Sequence, residues 1–83
     1  MGRRVGVPLY FFDIDDNGTL AADDFGIDLA DFEEARDQAI SLLPDIARDD
    51  IPDGETRELV CLVRDATKRP VYRATLTYRG EWL

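Results

Sequence analysis

From Asp31 to about Arg48 the apolar residues Phe32, Ala35, Ala39, Leu42, Leu43 and Ile46 recur at steps of three and four, with Glu33, Glu34, Asp37, Gln38, Ser41, Asp45 and Arg48 between them. That spacing collects the first set on one side of an α-helix and the second on the side facing water. Asp31 suits the N-cap, Glu34 completes the spacing of a capping box, and the acidic first turn matches the positive end of the helix dipole. Pro44 interrupts the stretch, yet Ile46 and Ala47 return to the same stripe, which predicts one kinked helix and not two.

The remaining segments follow a period of two or are apolar throughout. Val7 to Ile14 is rich in aromatic and branched residues and is too short for a helix. It reads as a strand with Val7, Leu9 and Phe11 on one face and Tyr10, Phe12 and Ile14 on the other. Asn17-Gly18 supplies the two positive-φ residues of a tight hairpin, so Thr19 to Ala22 pairs back as a short edge strand. Asp23 to Ala30, polar and containing Gly26, reads as the loop into the helix. Asp49 to Glu55 carries Pro52 and Gly54 and reads as a turn-rich connection. Thr56 to Arg64 is a strand apolar on both faces at its centre, and Asp65 to Pro70 turns the chain. Val71 to Arg79 alternates, with Tyr72, Ala74, Leu76 and Tyr78 inward and Arg73, Thr75, Thr77 and Arg79 outward. Together these predict an α+β fold: a two-layer β-β-α-β-β sandwich, one kinked helix packed on a three- or four-stranded antiparallel sheet.

Eighty-three residues make a single domain, 1–83, with Met1 to Gly6 as a short basic lead-in. One cysteine cannot form an internal disulfide. Neither a long apolar run nor a leader-like start is present, so no membrane partner is expected and the expected address is cytoplasmic. A net charge of −8 argues against affinity for nucleic acid, which is held by clustered Lys and Arg. The charge is unevenly spread: Asp13 to Glu55 carries −13, and Thr56 to Leu83 carries +3. Two readings fit this split: a solvated acidic helix face beside a basic hairpin, or two regions that attract each other across a subunit interface.

Several pieces stand in order along the chain: Leu9-Tyr10-Phe11-Phe12-Asp13, Asp16-Asn17-Gly18, Asp24-Phe25-Gly26-Ile27-Asp28-Leu29, Phe32-Glu33-Glu34-Ala35-Arg36 with Ala39, and Val63-Arg64-Asp65 with Arg69-Pro70-Val71. In this order the chain resembles a bacterial domain-of-unknown-function family of short acidic proteins over nearly its full length. The resemblance implies a fold and a size and brings no assigned activity. The family usually carries a glycine just before the Arg-Pro pair, where this chain has Lys68.

Candidate chemistry is sparse. Asp13, Asp15 and Asn17, with Gly18 at the turn and Asp24 at the twelfth position, follow the spacing of a calcium loop. Asp24 is short for a bidentate twelfth ligand, and the preceding segment reads as a strand where a calcium hand needs a helix. The competing reading is an acidic hairpin turn. With no histidine the usual general base near neutral pH is missing, and Cys61 between Val60 and Leu62 reads as a buried, inert thiol. No catalytic residue, no cofactor and no enzyme activity are expected. Arg64, Lys68, Arg69, Arg73 and Arg79 near Tyr72 and Tyr78 suggest a surface for single-stranded nucleic acid, but alternation puts Tyr72 and Tyr78 opposite Arg73 and Arg79. One helix covers one face of a sheet, so surplus apolar surface is expected on the other, with Tyr10, Phe12, Ile14 and Trp82 as interface residues of a homodimer. The expected function is a non-catalytic protein-interaction module that self-associates. The alternatives are an antitoxin-like regulatory partner of another protein and a weak calcium-binding protein through the Asp13 to Asp24 loop.

Overall fold

The structure, a computed structural model, describes residues 8–49 and 56–83. The lead-in, Val7 and residues 50–55 of the predicted connection lie outside the described residues. The elements run β1 (Leu9–Asp16), β2 (Thr19–Ala21), β3 (Ile27–Asp28), α1 (Phe32–Asp49), β4 (Thr56–Arg64) and β5 (Pro70–Arg79). The sheet order is β2-β1-β4-β5, with β3 also paired to β1, and the pairings are antiparallel. One helix on this sheet makes the two-layer α+β fold that the hydrophobic periodicity calls for.

β1 and β2 join through Asn17 and Gly18 at φ 51° and 95°, both left-handed, as a two-residue type I′ hairpin demands. The turn is pinned from two sides. The Gly18 amide donates to Asp15 Oδ1 at 2.7 Å, and the Glu58 amide donates to Asn17 Oδ1 at 2.7 Å.

β3 is a strand that the sequence hides. It is two residues long in a polar stretch, and it exists because the free edge of β1 offers partners: Tyr10 pairs with Ile27, Leu9 with Asp28, and the Leu29 amide donates to the Pro8 carbonyl at 3.0 Å. A segment held only by a neighbour's edge carries no period of its own. Gly26, at φ 77°, lets the chain pass this close, because a Cβ there would lie 2.9 Å from Leu9 Cγ and 3.0 Å from the Tyr10 carbonyl oxygen.

The helix starts as its caps predict. The Glu34 amide donates to Asp31 Oδ1 at 2.9 Å, and the Glu34 carboxylate reaches back to the Ala30 amide at 3.0 Å, one residue before the position usual for a capping box. It runs through Pro44 as one element. The proline removes the N–H that would meet the Ile40 carbonyl, and both residues are exposed, so solvent can serve that carbonyl.

Ala35, Ala39 and Leu43 press on Tyr10, Phe12, Leu59, Cys61 and Val63 to form the core. Alanine at the two helix positions nearest the sheet lets the layers approach closely. The helix therefore covers the face bearing Tyr10 and Phe12, while Leu9 and Phe11 belong to the outer face. At the far side of the sheet a bulge shifts the register: Val63 pairs with Tyr72 but Arg64 with Pro70. The extra residue, Val71, packs against the core. The β4–β5 turn is organised by Asp65, whose Oδ1 accepts from the Thr67 amide, the Thr67 hydroxyl and the Arg69 amide at 2.9, 2.6 and 3.1 Å. Lys68 holds φ 72° there, the conformation that a glycine adopts without strain.

Candidate functional site

The residues of the candidate calcium loop make separate contacts in the structure. Asp13 lies on the outer sheet face and accepts from Arg64 Nε and Nη2 at 2.7 and 2.9 Å. Asp15 and Asn17 are engaged in the hairpin turn, and Asp24 is exposed in the following loop. Among the described residues no three Asp, Glu, Cys or His side chains converge as metal ligands. The spacing matched a calcium loop because an acidic type I′ turn uses the same residue types.

Asp13 belongs instead to a small polar network at one part of the outer face. Asp13 is 8% exposed and sits beside Leu62 across β4. Arg64 bridges it to the Asp23 carbonyl at 3.1 Å, and the Asp23 amide donates to Asp13 Oδ1 at 2.9 Å. Between β2 and β3, where the chain leaves the edge of β1, the Asp23 side chain takes the place of a strand. Its Oδ2 accepts from the Phe12 amide at 3.0 Å, and its Oδ1 accepts from the amides of Phe25 and Gly26. Phe11 is buried beneath two cations, with the Arg64 guanidinium 5.0 Å and the Lys68 ammonium 4.3 Å from its ring centre. The second face of the sheet is thus partly filled by charge and loop. Asp23 gave no signal in the sequence, since a carboxylate in a polar loop reads as solvated.

The hydrogen bond from Arg64 holds the Asp13 carboxyl below its ordinary value. Burial works to raise Asp23, but the amides of Phe25, Phe12 and Gly26 outweigh it and hold that group low as well. Asp16 is lowered by Arg57, whose Nε and Nη2 donate at 2.9 and 2.5 Å, and Asp65 is lowered by the Thr67 hydroxyl. A carboxyl with a folded pKa below its unfolded one stabilises the protein fully above the unfolded value, here 3.8, and loses that contribution as pH falls through the folded value. Thermal melts are therefore expected to be insensitive to these groups from pH 6 to 8 and to fall steeply below about pH 4. A melting temperature unchanged at pH 3 would show that these contacts do not form in solution.

Cys61 is fully buried, and burial pushes its thiol up to about 11, far from a thiolate at neutral pH. Burial likewise raises the Tyr10 hydroxyl. Neither group is placed for nucleophilic chemistry.

Of the expected interface residues, Tyr10 and Phe12 are 3% and 6% exposed under the helix and Ile14 packs beside them, so they are core and not surface. The reason is the choice of face: the sequence shows two apolar sets on β1 and does not say which one the helix covers. Trp82 is 99% exposed. The exposed apolar side chains that the structure adds lie along β5. Tyr72, Leu76 and Tyr78 share its helix side and are each about a third exposed. Residues 71 and 72 also form one wall of an open groove of about 250 Å³, whose other wall is Phe32, Glu33, Ala35 and Arg36 of the helix. Among the described residues β5 pairs with β4 alone, so its other edge is open over ten residues. Arg73 and Arg79 point from the outer side of this strand, opposite in sense to Tyr72 and Tyr78. The edge was illegible because the order of strands along the chain does not fix their order in the sheet.

The result is a two-layer α+β fold with a polar network on the outer face of the sheet and an open, apolar-rimmed edge along β5 among the described residues. The chain belongs to the family described as domain of unknown function DUF6894, whose model matches residues 9–77. No curated protein and no solved structure matches it. No helix among the described residues is long and apolar enough to cross a membrane.

Proposed function

We propose that this protein is a small non-catalytic interaction module that binds extended polypeptide along β5, a second copy of itself included. The observation that carries the reading is the open ten-residue edge of β5 beside the half-exposed Tyr72, Leu76 and Tyr78. An unpaired strand edge offers a row of backbone donors and acceptors, and alternate side chains beside it give selectivity. Natural edge strands are commonly blocked by being short, bulged, covered or charged, and the charges on β5, Arg73 and Arg79, stand on its outer side. β5 is long, and its one bulge lies at its beginning, next to Arg64.

Two copies joined antiparallel with Thr75 on the two-fold axis would set Tyr72 against Tyr78 and Ala74 against Leu76, pairs of the kind that stabilise sheets. Light scattering across a dilution series is expected to give twice the chain mass at roughly 100 μM and the single mass on dilution. Thr77→Lys adds charge at an exposed edge position and is expected to weaken pairing about tenfold without unfolding the domain. A single-chain mass at every concentration overturns self-association.

A further inference from the structure

We infer that the preferred occupant of the β5 edge is an extended acidic strand of another polypeptide, with acidic residues six positions apart and apolar residues alternating between them. This rests on the reading of β5 as the working edge and names what that edge selects. Four described arginines are ion-paired: Arg36 with Asp37, Arg48 with Asp45, Arg57 with Asp16 and Arg64 with Asp13. Arg73 and Arg79 have no carboxylate within ion-pair distance among the described residues, although the chain carries eighteen Asp and Glu. From Ala66 through Gly80 there is no acidic residue at all. The acids gather elsewhere, and among the described residues the long open edge of β5 is left basic.

Strand geometry turns this into a pattern. Arg73 and Arg79 fall on one side of β5, six residues and roughly 20 Å apart, with Thr75 and Thr77 between them. An antiparallel strand added alongside places one residue opposite each arginine and neutral residues opposite the threonines. Its alternate residues turn to the helix side, opposite Ala74, Leu76 and Tyr78, with Tyr72 and the groove between β5 and Phe32 just beyond its end. Carboxylates opposite the two guanidiniums form charge-assisted pairs. A second copy supplies the opposite. With Thr75 on the axis, Arg73 of each chain lies diagonal to Arg79 of the other, and like charges at that spacing repel. Single-stranded nucleic acid would meet the same arginines, but the tyrosines on which bases could stack lie on the other side of the strand, which disfavours it.

The test is an NMR titration of the full chain with a capped heptapeptide of sequence Glu-Val-Thr-Val-Thr-Val-Glu and with the same peptide carrying Lys at both ends. The expected result is saturable shifts confined to residues 70–79 and the facing first turns of α1, with the acidic peptide bound at least about tenfold more tightly than the basic one. The double variant R73E/R79E changes two exposed positions, its spectrum reports whether the fold is retained, and it is expected to reverse the preference. Equal binding of both peptides, no saturable shift, shifts elsewhere, or an arginine-dependent shift of β5 by a thymine oligonucleotide of similar strength overturns the inference. If the peptide fails while light scattering gives a dimer, the interaction module stands and only its acidic preference falls. Peptide binding without a dimer leaves the interaction module and its acidic preference standing and removes only self-association.

Discussion

Arg64→Ala is expected to destabilise the domain by about 3 kcal/mol, since removing one partner of a buried ion pair leaves the other charge without compensation. Asp13 would remain beside Leu62 with its two guanidinium bonds gone, the Asp23 carbonyl would lose its donor, and Phe11 would lose the flat cation over its ring. For a domain of this length that loss corresponds to a fall of roughly 15 °C in melting temperature. The sharper comparison is the double variant Asp13→Leu/Arg64→Met. Replacing both charges by apolar groups of similar size removes the uncompensated carboxylate and is expected to recover most of the stability. Thermal and urea melts of the three proteins read this directly. A single variant within about 0.5 kcal/mol of the parent would place the pair in the weak class of surface ion pairs.

Leu59→Ala is expected to cost about 3 kcal/mol, within the 2–5 kcal/mol range for truncating a buried leucine. Leu59 is 2% exposed in the middle of β4, and it forms part of the cluster closed by Ala35, Ala39 and Leu43. Backbone pairing on both sides, with Asp16 and with Leu76, limits how far the sheet can collapse into the space left. Leu20→Ala is the control. Leu20 is 65% exposed on β2, and its truncation is expected to change stability by less than about 0.5 kcal/mol. Equal losses at the two positions in urea unfolding would mean that the helix does not rest on β4.

How much of this was legible in the chain follows from where each signal lived. The helix, its cap at Asp31 and its passage through Pro44 were written in local periodicity and capping chemistry. The Asn17-Gly18 hairpin was equally local, because two left-handed residues in a row define a turn without reference to anything else. β3 was not legible, because two residues without a pattern become a strand only when the edge of β1 is there to receive them. The burial of Tyr10, Phe12 and Ile14 was hidden for a related reason. Tyr10, Phe12 and Ile14 on one side of β1 and Leu9 and Phe11 on the other are equally apolar strings, and the choice between them is made by a helix and by a cation–aromatic stack assembled from distant residues. Arg64 and Lys68 cover Phe11 from more than fifty positions away. The open edge was the least visible feature, since it is a property of strand order, and only the alternation of Tyr72 to Arg79 pointed toward a half-exposed strand.

The two margins of the sheet are unequal, and this bounds the size of anything the protein can build. On one margin the strands are three and two residues long, with a carboxylate filling the interval between them. Copies joined through the other margin turn these broken margins outward, so a finished pair offers no continuous template for a third chain. In the pair proposed above, growth would stop at a finite complex, and a polymer of stacked strands would have nowhere to propagate.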